Sequence, residues 1–233
     1  MEQAQLNERR QWLFIVLAGL FVTNAVTAEL ISNKLIQIPL SWQVFGKQFG
    51  PFITIIGILP WPVVFILTDL MNEFYGQKAV RRLSWITATL IAYCFIIVGV
   101  SMSIPAYEIK GSKLATNEAY NLVFGQAQAV IVGSIAAFLV SQLLDAFLFE
   151  KIKQRTGNRF IWLRSTGSTM ISQLIDSYIV LYIGFVLPGA MSLSTYLEVA
   201  PTNYLLKMLI AVLLTPFIYL GHYLVRRYLN QHV

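Results

Sequence analysis

Charge is what this chain has least of. Only 12% of its 233 residues are Asp, Glu, Lys or Arg, against about 25% in a typical soluble domain. Hydrophobic residues make up 57%, and the mean hydropathy is +0.65. A water-facing surface cannot be built from so few charges, so a soluble fold is excluded. Cysteine is nearly absent as well. Cys94 stands alone in the apolar run "ITATLIAYCFIIVGV", which rules out an internal disulfide and any Cys-based zinc spacing. The two histidines, His222 and His232, both lie near the C-terminus. None is therefore available at mid-membrane depth for a serine–histidine protease. There is no P-loop, Gly-rich phosphate cradle or metal-ligand cluster. An enzyme is not expected, nor is a cofactor, a resident metal or nucleic-acid binding.

What is abundant is long apolar runs. Six approach the roughly 20 residues that cross about 30 Å of hydrocarbon: 12–36, 52–75, 83–104, 127–149, 161–187 and 196–224. The expected fold class is an all-α integral membrane protein, one domain over 1–233, in contact with the lipid bilayer. The start could pass for a signal peptide, with Arg9 and Arg10 before an apolar run and Val26-Thr27-Ala28 as a cleavage site. Because the run continues into "ELISNKLIQI", a retained first helix is expected instead.

Of the 17 Lys and Arg, twelve fall at the termini and in the even-numbered connections: Arg9, Arg10, Lys78, Arg81, Arg82, Lys151, Lys153, Arg155, Arg159, Arg164, Arg226 and Arg227. The odd-numbered connections hold only Lys47, Lys110 and Lys113. By the positive-inside rule both termini are expected in the cytoplasm. The openings "RRQWLF", "RRLSWI" and "RFIWLR" agree, since each sets a basic residue near a tryptophan as at a cytoplasmic headgroup interface. Lipid bilayer is thus the expected surrounding of every span, and a homodimer is compatible with it.

Two spans read as irregular. "GILPWPVV" holds Gly57, Pro60 and Pro62, so a kink or break is expected there. "RSTGSTMISQ" opens the fifth span with small polar residues that hydrate or free backbone groups. Interrupted spans in the two halves of a transporter often flank its substrate. The first outside connection, "QIPLSWQVFGKQFGP", has the turn residues of a small hairpin.

Polar residues inside spans are the informative ones, because a charge at a helix centre costs about 2.5–3.5 kcal/mol on insertion scales. They are Glu29, Lys34, Asp69, Glu73, Asp145, Asp176 and Lys207, with Asn24, Asn33, Asn72, Gln142, Gln173 and Asn203 beside them. Helical spacing puts Asp69, Asn72 and Glu73 on one face. The twin stretches "SQLLD" (141–145) and "SQLID" (172–176) each form one polar stripe too. Three stripes turned inward would line a common cavity. Asp145 reads either as a pocket residue or as a structural acid paired with Lys151 or Arg164. Glu73 reads either as a coupling group or as a partner of Arg81 or Arg82. Asp176, near mid-membrane with no basic residue close in sequence, is the stronger functional candidate. Lys207 is the natural counter-ion for one buried acid. Since the fourth and fifth spans run in opposite directions, the twin stretches are expected at different depths.

In order along the chain, "LTDLMNEFYGQKAVRR", then "SQLLDAFLFEKIKQRTGNRFIWLRSTGSTMISQLIDS", with "SNKLIQI" before and Lys207 after, resemble the signatures of the bacterial queuosine precursor transporters, the vitamin uptake transporter family. The resemblance runs from about residue 13 to 227. It implies a six-helix inner-membrane protein that takes up 7-cyano-7-deazaguanine or its 7-aminomethyl relative, precursors of a tRNA modification. It further implies Asn33, Asp69, Gln142, Asp145, Gln173, Asp176 and Lys207 as substrate-binding positions; apart from the resemblance, Asp69, Glu73 and Asp145 are candidates for coupling or gating. A membrane subunit that captures substrate for a separate ATPase complex, and a carrier of another nucleobase or vitamin, stay open as alternatives.

Overall fold

The computed structural model describes all residues except 1, 33, 40, 45–46, 50–51, 108–115, 158, 190 and 230–233. The helices are α1 (Glu2–Ile31), α2 (Trp61–Tyr75), α3 (Gln77–Ser103), α4 (Asn117–Thr156), α5 (Ile161–Leu181), α6 (Leu193–Leu213) and α7 (Thr215–Tyr228). Among the described residues, six helical segments are long and apolar enough to cross a membrane, one each around α1 to α6.

Burial is inverted relative to a soluble protein. Large apolar side chains such as Ile15, Leu20, Ile96 and Ile97 are exposed, while Asp69, Asn72, Arg164 and Gln173 are buried. Hydrocarbon outside and polar groups inside is the arrangement lipid favours. Trp12, Trp85 and Trp162, the tryptophans of the three basic openings, all face outward. An apolar core, including Phe21, Val64, Met71, Ile91 and Phe138, joins α1 through α4.

Several boundaries differ from the sequence expectation. The first span ends at Ile31, and Lys34 is exposed beyond it. The connection then forms four short strands, β1 (Leu35–Ile38), β2 (Trp42–Val44), β3 (Lys47–Phe49) and β4 (Phe52–Ile55). β2 and β3 make the expected hairpin, pairing Trp42 with Phe49. β1 and β4 pair around it, Leu35 opposite Ile55. Six of these eight residues, Leu35, Ile36 and Phe52–Ile55, come from the ends of the first two expected spans, where Ile and Thr suit a strand. A 3-10 turn (Ile56–Ile58) leads into α2.

Pro62 falls in the first turn of α2 rather than in its interior, a position where a missing N–H costs nothing. The Ser/Thr-rich start of α5 stays fully helical. The Ser168 and Ser172 hydroxyls lie 3.1 and 3.0 Å from the carbonyls of Ser165 and Thr169, the back-bonding geometry that serine adopts inside a helix. The irregularity of that span sits at its other end, in a π-helical turn (Tyr182–Val186). There Gly133 of α4 meets Gly184, and a Cβ on Gly133 would lie 2.7 Å from the Gly184 nitrogen. The last expected span is divided at Leu214, after which Pro216 opens α7.

α2 and α3 are joined by Gly76 alone, at φ +80°. Such a conformation suits glycine. Arg81 and Arg82 therefore lie within α3, exposed, rather than in a loop.

Candidate functional site

Three polar clusters run along the inside of the bundle. The first lies where α2, α4 and α5 meet beside the basic α4–α5 connection. Glu73 is 2.8 Å from Arg164 Nη2 and 3.0 Å from Lys153 Nζ. Arg164 is fully buried, donates from Nη1 to the Gly157 carbonyl at 2.7 Å, and lies over the Phe149 ring. Lys153 also donates to the Glu73 carbonyl at 3.0 Å. Glu73 is therefore paired across helices, and not with Arg81 or Arg82. Tertiary contact decided this, because α3 carries both arginines away from the bundle.

The second cluster lies deeper. Asp69 accepts from Ser165, and its Oδ1 has no partner among the described residues. Asp145 accepts from Ser168 (2.9 Å), Thr169 (3.2 Å) and Ser172 (3.2 Å). Neither Lys151 nor Arg164 pairs with Asp145, since three hydroxyls of α5 occupy its Oδ1. Gln142 donates to Thr68 at 2.6 Å, and Asn72 to the Ala146 carbonyl at 3.0 Å. These neutral bonds stitch α2 to α4.

The third cluster joins α1, α4, α5 and α6. Lys207 Nζ lies 2.5 Å from Asp176 Oδ2, and Ser141 donates to Asp176 Oδ1 at 3.2 Å. The counter-ion of Lys207 is thus Asp176. Glu29, buried on α1, accepts from Ser134. Gln173, one turn before Asp176 on the same face, is buried, and its amide has no hydrogen-bond partner among the described residues. Tyr178 packs edge-on against Tyr196, while Trp61 stacks on Phe65 and lies tilted against Phe138.

The twin stretches turn out to be level with one another. Ser141 reaches Asp176, while Ser172 of the second stretch reaches Asp145 of the first. The expectation of different depths is corrected: the two stretches overlap along the antiparallel pair and exchange serine-to-aspartate bonds. Opposite chain direction alone does not set an offset; the length of the α4–α5 connection does.

Of the expected substrate-binding positions, Asp69, Gln142, Asp145, Gln173, Asp176 and Lys207 all line this interior, and Asn33 lies outside the described residues. Missed at the level of sequence were Arg164 as a buried structural cation and the hydroxyls of Ser165, Ser168 and Thr169. A Ser/Thr run at helical spacing opposite acids on neighbouring spans is the signal that could have revealed them.

A multi-helix membrane protein with a lattice of acids, hydroxyls and amides in its interior has the make-up of a small-molecule transporter. The vitamin uptake transporter family model matches residues 55–221, and the chain belongs to that family. It is 31% identical over 175 residues to the probable queuosine precursor transporter of Bacillus subtilis (strain 168), covering 74% of this chain and 73% of that one. It is 28% identical over 185 residues to the queuosine precursor transporter of Escherichia coli (strain K12), covering 78% and 75%. A Haemophilus influenzae protein named probable queuosine precursor transporter is 23% identical over 189 residues, covering 78% and 76%. No solved structure matches. The chain is accordingly a multi-pass membrane transporter and not an enzyme.

Proposed function

We propose that this chain imports 7-deazaguanine precursors of queuosine, 7-cyano-7-deazaguanine or its 7-aminomethyl relative, across a bacterial inner membrane. Both termini are cytoplasmic on this reading, as the twelve basic residues at the termini and even-numbered connections favour. The relatives' names supply the substrate class. The observation that carries the site is the Asp176–Lys207 pair beside the unpartnered Gln173 amide.

A guanine-like edge presents two adjacent N–H donors and a carbonyl. A carboxylate accepts paired N–H donors through charge-assisted bonds, roughly twice as strong as neutral ones. An amide serves both the carbonyl and a ring nitrogen. In the resting arrangement Lys207 and Ser141 hold the Asp176 carboxylate. A deazapurine entering from the α1–α6 side would exchange the Ser141 bond for its own N–H groups, while Lys207 stays paired with the other carboxylate oxygen. An aromatic face within the bundle would add stacking, worth about 1–3 kcal/mol per base. Asp69 and Asp145, tied to α5 hydroxyls, act as positioning or gating groups.

Uptake tests this directly. Cells unable to make queuosine precursors and lacking their own importer are given 7-cyano-7-deazaguanine while expressing the chain. Queuosine should appear in their tRNA. If it does not, and the purified protein binds neither deazaguanine in a thermal-shift panel with guanine and common vitamins, the substrate reading fails.

A further inference from the structure

Glu29 is a buried acid outside the expected substrate-binding set. It lies in the last turn of α1, 6% exposed, and its Oε2 accepts from Ser134 of α4. Its Oε1 has no hydrogen-bond partner among the described residues, and none of their Lys or Arg side chains is in ion-pair contact with it. The charges it faces are Asp176 of α5 and Lys207 of α6, which are already paired with each other. The third cluster therefore holds one acid more than it has cations. Burying an acid without a cation is costly unless positive charge reaches it. Asp176 and Lys207 keep 13% and 15% of their side-chain surface exposed, so the pair is not sealed off from a ligand.

α4 sets the spacing of the two acids. Ser134 holds Glu29, and Ser141 holds Asp176. The two serines are seven residues apart. They share one face of the helix, about 10 Å apart along its axis. Glu29 and Asp176 thus approach the same stripe of α4 from α1 and from α5. A charge-assisted bond at each carboxylate takes up about 2.8 Å, which leaves about 5 Å between the two donors. This matches the reach, about five bonds, from the ring N1–H of a 7-deazaguanine to a nitrogen on its 7-methylene arm. The 7-aminomethyl compound carries a primary amine there, protonated at neutral pH as a lysine is. The arm of the 7-cyano compound ends in a nitrogen lone pair, which a carboxylate repels.

We propose that Glu29 is a specificity-determining residue: its carboxylate receives the ammonium of the 7-aminomethyl arm while Asp176 takes the ring edge, so that the chain prefers the 7-aminomethyl compound to the 7-cyano one. The inference rests on the deazapurine reading and deepens it. Lys207 stays with Asp176, and the cargo itself supplies the cation that Glu29 lacks.

Isothermal titration calorimetry on the purified full chain in nanodiscs tests this. It compares the 7-aminomethyl compound with 7-cyano-7-deazaguanine and with the 7-hydroxymethyl analogue, whose arm has the same shape and no charge. The wild-type chain should bind the aminomethyl compound about ten- to a hundredfold tighter than the hydroxymethyl one, the equivalent of one charge-assisted bond. Glu29→Gln should bring that ratio close to one, whereas a merely structural Glu29 would weaken both ligands alike. An unchanged ratio in Glu29→Gln would overturn the proposal. So would equal wild-type affinities for the charged and uncharged arms, a comparison that stands even if the variant does not fold. Binding of the deazaguanines without this preference removes the Glu29 assignment alone. Binding of none of them removes the substrate reading with it.

Discussion

The Ser141 hydroxyl donates to Asp176 across 3.2 Å, and the same bond recurs in mirror order from Ser172 to Asp145. The positions sum to 317 in both pairs, so the two bonds share one antiparallel register of α4 against α5. Two near-identical five-residue stretches thereby lock the central helix pair. Ser172→Ala removes one of three hydroxyls on Asp145, and Ser141→Ala one of two groups on Asp176. Bonds to charged acceptors are worth about 1.5–3 kcal/mol. Ser141→Ala should lower stability more than Ser172→Ala, by thermal unfolding in detergent.

Lys207→Met leaves Asp176 without its cation. Breaking a buried pair from one side typically costs about 3–5 kcal/mol, because the remaining charge is uncompensated. Asp176→Asn in the same chain should recover much of that stability while uptake stays low. A double-mutant cycle on the unfolding midpoint checks it, and additive losses would contradict the pairing.

Asp176→Asn alone keeps the shape of the side chain and removes its charge. If Asp176 reads the base edge, uptake of 7-cyano-7-deazaguanine should fall about ten- to a hundredfold at equal membrane abundance, the equivalent of one charge-assisted bond. Wild-type uptake by this variant would reassign Asp176 to structure.

Arg164→Lys should not be conservative. The guanidinium spans Glu73 and the Gly157 carbonyl with two separate nitrogens, a fork that an ammonium cannot reproduce. The variant should unfold at distinctly lower temperature than Lys153→Met, whose partner Glu73 keeps Arg164. Equal midpoints for the two would show that Arg164 is not the principal partner of Glu73.

Gly133→Ala places a methyl 2.7 Å from the Gly184 nitrogen, against backbone that cannot rotate away. A loss of about 1–3 kcal/mol is expected, in the range of overpacking. Gly125→Ala, which meets only the flexible end of Met102 at 3.2 Å, should be tolerated far better in the same unfolding measurement.

Much of the architecture was legible in the chain itself. Apolar run length sets the number of crossings, because the bilayer demands about 20 residues whatever their neighbours. Helical periodicity sets which polar residues share a face, and so Asp69, Gln142, Asp145, Gln173 and Asp176 were all found in the interior. Pairing was another matter. Proximity along the chain offers Glu73 the arginines of α3 as one of its two readings, yet its partners are Lys153 and Arg164, 80 and 91 residues away. Asp145 was matched to cations, yet three hydroxyls hold it. The α6–α7 break passed for continuous span because local hydropathy does not register a single proline turn. Insertion energetics depend on each segment alone, and sequence determines them. Which buried acid meets which cation, and which is held by hydroxyls instead, depends on the rotation and register of helices far apart in the chain. Only their packing decided it.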